Sequence, residues 1–236
     1  MNRNDIRNPI PHCQMPDTAG VTIAPMEEPM ICLSETCQEV MVFQPKYWER
    51  KIPGAVAQVY VRKTVADMLL AAARLLPDGY KFKIFDAWRP VAVQKALFGE
   101  YYAVLQQRFQ GENKSEAELK KMAAQFVSYP SEDPNCPFVH STGGAVDLTI
   151  VDAQGKELNM GTGFDDFTDA AHTAYFENTD CTEIRENRRL LYHVMTAVGF
   201  TNYPGEWWHY DFGDRFWAAI TQRDSIYRGI YETPEI

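Results

Sequence analysis

Apolar residues recur at helical spacing in several stretches of the chain. The first stretch begins at Thr64, a residue suited to a helix N-cap, with Asp67 three positions later. It runs to Leu76, after which the Pro-Asp-Gly sequence at 77–79 indicates a turn. This pattern predicts a helix whose buried positions are Val65, Met68, Leu69, Ala72 and Leu76.

Three further segments carry helix signals. Pro90 suits the first position of a helix, where its missing N–H costs nothing. Ser115 and Glu118 form a capping-box signature for a shorter helix that ends before Pro130. A last long helix ends near Gly199, which is predicted as its C-cap. The predicted buried positions are Val93, Leu97, Tyr101, Val104 and Leu105 after Pro90, and Leu190, Leu191, Val194, Met195 and Val198 in the last helix.

Strand patterns separate these helices. Residues 56–61 are β-like, residues 81–85 place Phe82 and Ile84 on one face, and residues 145–150 alternate with a period of two. Because helices and strands are mixed without a repeat or a flexible linker, we predict one α+β domain.

Domain organisation and composition add three expectations. The single domain is expected to span residues 1–236, with about residues 1–55 as an N-terminal arm or wrapping segment. Apolar residues make up 45% of the chain and charged residues 23%, which is typical of a globular protein. No apolar run approaches the roughly 18 residues of a membrane span, so no membrane partner is expected.

Charge and cysteine content argue against nucleic-acid binding and against a cysteine-based metal site. With 23 basic and 32 acidic residues the net charge is −9, which argues against a nucleic-acid partner. The five cysteines lack metal-type spacing and are expected to be reduced thiols. The N-terminus lacks the apolar core of a signal peptide, so a cytoplasmic location is expected, or a periplasmic one if an export signal has been removed.

The stretch at 140–150 carries the first candidate chemistry. Asp147 lies in the middle of a predicted strand, where aspartate is uncommon. Gly143 and Gly144 give the backbone the freedom to fold His140 back towards Asp147. An imidazole and a carboxylate brought together in this way are two ligands of hydrolytic zinc. A surface histidine and a solvent-facing aspartate fit this stretch equally well when it is taken alone.

Two other stretches supply residues that complete such a site. His209 is a candidate third ligand, and Glu206 a candidate general base beside the metal. The surrounding Trp207 and Trp208 also fit an ordinary aromatic core. Arg89, at the end of a predicted strand, is placed to direct a positive charge into a cleft.

Taken together, the three stretches resemble a known family. The order Asp86-x-x-Arg89-Pro90, His140-x-x-Gly143-x-Ala145-x-Asp147 and Glu206-x-x-His209 is similar to that of the zinc D-alanyl-D-alanine dipeptidases of the vancomycin-resistance type. These share a fold with bacterial D,D-carboxypeptidases and the hedgehog signalling domain. The resemblance runs from about Phe85 to Phe212 and includes an acidic loop at 160–165. It implies a small antiparallel sheet that carries the zinc site, with helices packed around it.

The resemblance also implies roles for individual residues. One zinc ion per chain is expected on His140, Asp147 and His209. Glu206 would be the base, and Arg89 would face the carbonyl oxygen of the scissile bond.

Substrate contacts are expected from Asp165, Phe138 and Asp86. Asp165 would lie near the free ammonium group of a dipeptide, although an ordinary solvated loop is the alternative. Phe138 stands where the family usually carries a serine that is thought to help hold the substrate carboxylate. A phenylalanine side chain has no hydrogen-bonding group, so the zinc chemistry is unaffected but that contact must differ.

The predicted function is therefore a zinc-dependent dipeptidase acting on D-Ala-D-Ala or a similar small dipeptide. One alternative is a D,D- or L,D-carboxypeptidase that trims peptidoglycan stem peptides. Another is a hedgehog-like zinc-stabilised binding domain, which would keep the three ligands but need neither Glu206 nor Arg89.

Overall fold

The chain forms a mixed α+β fold, seen in a computed structural model that describes residues 7–124 and 126–234. The strands are β1 (Met30–Cys32), β2 (Met41–Phe43), β3 (Tyr60–Arg62), β4 (Lys81–Asp86), β5 (Ala145–Val151), β6 (Thr201–Asn202) and β7 (His209–Asp211). The α-helices are α1 (Leu33–Thr36), α2 (Lys46–Glu49), α3 (Lys63–Ala73), α4 (Val91–Arg108), α5 (Glu116–Ala123), α6 (Thr182–Thr196) and α7 (Arg215–Thr221). Short 3-10 helices span Val139–Thr142, Asp169–Ala171 and Tyr175–Asn178.

A five-stranded sheet with the order β2-β4-β5-β7-β6 forms the centre of the fold. The expected antiparallel sheet is confirmed for β4, β5, β7 and β6, but β2 joins the edge in parallel to β4. All seven residues of the central strand β5 are buried, so both of its faces are covered. Asp147 is only 2% exposed, which excludes a solvent-facing aspartate at this position.

Two hydrophobic clusters pack against this sheet. The larger contains side chains of α3, α6 and the central strands, among them Leu69, Phe82, Leu148 and Val194. The smaller joins α4 and α5 with Tyr47 of α2. The first cluster supports the sheet from the α3 and α6 side, and the second builds the helical wall beside the candidate site.

Two predicted helices differ in detail from the structure. Helix α3 begins at Lys63 rather than after Thr64, because the Thr64 N–H and hydroxyl both donate to the carboxylate of Glu28, and α3 ends at Ala73 before Leu76. Pro90 is the N-cap of α4 rather than its first residue. Val104 was expected to be buried but is 55% exposed.

The other helix signals agree better with the structure. Ser115 and Glu118 form both hydrogen bonds of the predicted capping box at α5. Helix α6 ends at Thr196, with Ala197 rather than Gly199 as its C-cap. Gly199 follows with a left-handed φ of 107°, a conformation that favours glycine.

The N-terminal segment is more than an arm. Strand β1 pairs with β3, β2 extends the main sheet, and α2 contributes the buried Tyr47. The expected strand at 56–61 is confined to β3, which starts only at Tyr60. Residues 1–6 of the predicted arm lie outside the described part of the chain. Within that part, no helix combines the length and apolar character needed to cross a membrane.

The burial of Ile84 predicts that truncating it destabilises the protein more than truncating an exposed isoleucine does. Ile84→Ala on β4, where the side chain is fully buried, is expected to lower the free energy of unfolding by about 2–5 kcal/mol because it leaves a cavity. Ile220→Ala on α7, which is 42% exposed, is the matched control and should cost less than about 1 kcal/mol. Urea denaturation of both variants measures these changes, and equal losses would contradict the assignment of the core.

Candidate metal centre and active site

Three side chains from different segments meet at the end of the central strands. His140 lies in the 3-10 helix before β5, Asp147 lies on β5, and His209 starts β7 directly opposite Asp147. One donor atom from each lies within 4.8 Å of the others, and all three residues are buried. The structure therefore brings together the three ligands predicted from the sequence.

Two glycines allow the chain to return between His140 and Asp147. Gly143 has a left-handed φ of 73°, which side chains adopt rarely. A Cβ on Gly144 would lie 2.3 Å from the Phe212 carbonyl oxygen, because the backbone after β7 passes closely here. Position 143 thus favours glycine because of its left-handed backbone, and position 144 requires glycine because a side chain would collide with the neighbouring backbone.

Hydrogen bonds fix both imidazole rings with one nitrogen towards the centre. His140 Nδ1 lies 2.7 Å from the Ala87 carbonyl oxygen, to which it can only donate, so Nε2 keeps its lone pair. His209 Nε2 lies 2.7 Å from Asp211 Oδ1 and donates to it, while Nδ1 faces Asp147 Oδ1 at 2.9 Å, where either a proton or a metal ion can lie between them. Burial lowers the pKa of His140, and this also favours its neutral form.

The donor atoms face one another at short distances. His140 Nε2 lies 3.2 Å from His209 Nδ1, and His209 Nδ1 lies 2.9 Å from Asp147 Oδ1. Lone pairs that converge in a buried site repel one another unless a cation lies between them. Two imidazole nitrogens and one carboxylate oxygen, with a further position left open, are the donor set of hydrolytic zinc sites. The residues present therefore fit a zinc ion.

Glu206 lies beside this donor cluster, in the turn that leads into β7. Its Oε2 atom is 3.9 Å from His209 Nδ1, and it lines the same cavity as the three ligands. Burial raises the pKa of Glu206 to about 8, and a divalent cation nearby would oppose that shift. A carboxylate in this position is able to exchange a proton with a group at the metal.

Arg89 is held rigidly against the other side of the cluster. Its Nε donates to Asp86 Oδ2 at 2.8 Å, and its Nη1 donates to Gln94 Oε1 at 2.7 Å. Its Nη2 lies 3.3 Å from Asp147 Oδ2, and the guanidinium carbon lies 4.7 Å from the centre of the Tyr47 ring. A guanidinium has five N–H groups, so donors remain for a ligand in the cavity that Arg89 lines.

Asp165 reaches the cavity from the loop after β5. Its carboxylate accepts hydrogen bonds from the Tyr47 hydroxyl at 3.2 Å and from Arg50 Nη1 at 3.3 Å. Its φ of 59° is uncommon for a residue with a side chain, although aspartate tolerates it better than most. The structure thus places Asp165 in the cavity, where the resemblance expected it.

Two expected substrate contacts are placed elsewhere. Neither Phe138 nor Asp86 belongs to the described residues that line the cavity. Phe138 is buried, and its carbonyl oxygen accepts hydrogen bonds from the Ser141 N–H and hydroxyl in the helix that carries His140. Asp86 is turned to Arg89. Both residues lie outside the cavity lining in the described part of the chain, and contact between their side chains and substrate stays a prediction.

Four further residues shape the site and were not predicted from the sequence. Tyr47 and Arg50 belong to the segment that was interpreted as an arm, and Gln94 lies on α4, one turn after Pro90. Of these four, only Asp211 was accessible to prediction from the sequence, because a residue two positions after His209 in a strand lies on the same face of the sheet.

The hydrogen bond from His209 to Asp211 predicts an effect on metal affinity. Asp211→Ala should weaken zinc binding by about 10- to 100-fold, because the ring is no longer held with Nδ1 towards the centre. Competition with a chelating dye measures this. Asp224→Ala, an exposed aspartate, is the matched control and should bind zinc as the wild type does. Unchanged affinity in Asp211→Ala would show that Asp211 has no such role.

Comparison with known proteins places the chain in a family. Residues 49–226 match the family described as D-ala-D-ala dipeptidase. A D-alanyl-D-alanine dipeptidase of Synechocystis sp. is 30% identical over 177 residues, which cover 67% of this chain and 72% of that protein. The D-alanyl-D-alanine dipeptidase of Escherichia coli is 43% identical over 72 residues, which cover 30% of this chain and 36% of that protein.

One solved structure shows a more distant likeness. It is a mutant of the vancomycin-resistance D,D-pentapeptidase VanY in complex with Zn(II), and the likeness covers 70% of this chain and 82% of that chain. The sequence identity is 17% and the TM-score 0.40, so the family assignment rests on the sequence matches. On those matches, which span most of the chain, the protein belongs to the D-Ala-D-Ala dipeptidase family.

Proposed function

We propose that this protein is a zinc-dependent dipeptidase that hydrolyses D-Ala-D-Ala or a similar small dipeptide. The observation that carries the proposal is the convergence of two imidazole nitrogens and a carboxylate beside the half-buried Glu206, in one cavity. Membership of the D-Ala-D-Ala dipeptidase family supports the same reaction and substrate class.

The metal is held by the chain's own preorganised donors. His140, Asp147 and His209 would bind one zinc ion. When bound, zinc supplies a water of lowered pKa and polarises the peptide carbonyl.

Glu206 moves the proton in this reaction. Its carboxylate takes a proton from the attacking water and delivers it to the nitrogen of the leaving amine. Its place next to His209 puts it within reach of both groups, and its burial stabilises the protonated form that it holds between the two transfers.

Arg89 stabilises the negative charge that develops on the carbonyl oxygen. Its remaining N–H donors face the cavity, and Asp86 and Gln94 fix the guanidinium before substrate arrives. Because the donors are oriented in advance, little reorganisation is needed as the charge forms. A binding domain without catalysis has no use for this arrangement, so the presence of Arg89 and Glu206 in the cavity favours the enzyme.

Asp165 binds the free ammonium group of the dipeptide. Its carboxylate lies in the cavity beside Tyr47, and the ammonium group would take over the contact that Arg50 now makes. Such a contact at one end favours a short substrate with a free amino terminus over a longer stem peptide.

The proposed base gives a direct test of the reaction. Glu206→Ala should retain one zinc per chain and lose about 10²- to 10⁴-fold in kcat, because proton transfer is removed but the ligands remain. Release of D-alanine from D-Ala-D-Ala by the zinc-loaded protein measures activity, and a D-Ala-D-Ala-ending stem peptide is assayed in parallel.

Glu157→Ala is the matched control, since Glu157 pairs with Lys83 away from the cavity, and it should leave kcat unchanged. Retained turnover in Glu206→Ala would contradict its role as the base. Release of D-alanine from the stem peptide alone would show a carboxypeptidase instead.

The raised pKa of Asp165 predicts that KM depends on pH. Burial raises its pKa to about 6, so its charged form, which attracts ammonium, is lost as the pH falls through about 6. With zinc saturating throughout, KM for D-Ala-D-Ala should rise by about tenfold or more between pH 7.5 and pH 5. The Asp165→Asn variant should show the high KM at both values.

The neighbouring Asp166→Asn is the control and should follow the wild type, because the Asp166 carboxylate accepts a hydrogen bond from the Thr168 N–H outside the cavity. A KM in Asp165→Asn equal to that of the wild type at neutral pH would remove Asp165 from the ammonium site.

A further inference from the structure

The cavity has a second end that the hydrolytic chemistry does not use. Its volume is about 420 Å³, and its polar end holds the three ligands, Glu206, Arg89 and Asp165. The other end is lined by Tyr101 and Val104 of α4, by Phe126 after α5 and by Phe167 after β5. We call these four residues the apolar wall.

The apolar wall is an aromatic cluster that remains open to water. The Tyr101 ring centre lies 5.1 Å from that of Phe167 and 5.5 Å from that of Phe126. Val104 is 55% exposed, Phe126 46% and Phe167 40%. Large apolar side chains from three separate segments that gather in one exposed patch mark a binding surface more often than chance exposure does.

Charge at this end of the cavity is neutralised within the protein. Arg50 Nη2 lies 2.9 Å from Glu100 Oε2, and Arg50 also contacts Asp165. The apolar wall therefore offers contact area rather than a partner for an ammonium or carboxylate group, and a hydrocarbon or aromatic group suits it best.

The size of the cavity also exceeds what two alanines need. Pockets of about 300–1,000 Å³ hold drug-sized ligands, and this cavity falls within that range. A dipeptide of two alanines has only methyl side chains and would leave the apolar wall in contact with water.

We propose that the apolar wall binds a bulky apolar or aromatic side chain on the first residue of the dipeptide substrate. The inference rests on the proposed function, in which Asp165 holds the ammonium group of that residue. Phe167 follows Asp165 by two positions in the same loop, and Tyr101 packs on Phe167. Asp165 and the apolar wall line the same cavity, so a first residue anchored at Asp165 has the apolar wall available for its side chain.

Three dipeptides distinguish this specificity from its alternatives. We expect kcat/KM for D-Phe-D-Ala to exceed that for D-Ala-D-Ala and for D-Ala-D-Phe by about tenfold or more, since an added apolar group in a matching pocket gains at least that factor. All three are assayed with the zinc-loaded full chain.

Variants of the apolar wall test which residues carry the preference. Phe126→Ala and Phe167→Ala should each lower the ratio of kcat/KM for D-Phe-D-Ala to that for D-Ala-D-Ala by about fivefold or more, mainly through KM, and Phe126→Leu should restore most of it. Tyr129→Ala is the matched control, because Tyr129 is an exposed aromatic residue that packs on Phe98 and does not line the cavity. Its ratio should equal that of the wild type.

The outcomes separate this inference from the proposed function. Hydrolysis of D-Ala-D-Ala as fast as or faster than D-Phe-D-Ala would overturn the inference and leave the dipeptidase standing. Preference for D-Ala-D-Phe would overturn the assignment to the first residue. If none of the three is hydrolysed, the proposed function fails and the inference fails with it. An equal loss of preference in Tyr129→Ala would show that the variants act through folding, and this would overturn the role of the apolar wall.

Discussion

The structure depends on holding three metal donors together in a buried place where their lone pairs repel. The register between β5 and β7 sets Asp147 opposite His209, and the helix before β5 brings His140 to the same point. Desolvated nitrogen and carboxylate donors at such distances are suited to share a cation, so a bound metal ion would stabilise this part of the sheet. The surrounding hydrogen bonds make the arrangement rigid rather than adaptable.

Each donor is held by a hydrogen-bonding partner. The carbonyl oxygen of Ala87 orients His140, Asp211 orients His209, and Arg89 contacts Asp147. Partners of this kind fix tautomer and direction, and they tune the metal as strongly as the ligands do. The segment at 86–89 therefore serves two purposes, since it supports a ligand and also positions the guanidinium that lines the cavity.

Chemistry and specificity are divided between parts of the fold. Strands β5 and β7 and the short segments that lead into them supply the donors and the base, and burial of β5 on both faces keeps Asp147 fixed. Helix α4, residues 124 and 126–128, Asp165 and Phe167 line another part of the cavity, which includes its exposed apolar residues. Substrate preference is therefore free to change through these outer residues while the reaction remains the same.

The sequence by itself predicted the candidate ligands, base and arginine, because three motifs in the order typical of the family carry the residue types that zinc hydrolysis uses. It also determined the capped helix α5 and the strand pattern around Ile84 and Leu148, since caps and periodicity are local. Tertiary structure alone decided that Asp86 serves Arg89, that Phe138 lies outside the cavity, and that a parallel edge strand arises from the N-terminal segment. These depend on how the segments pack together and which way their side chains turn, and a local pattern carries no signal for either.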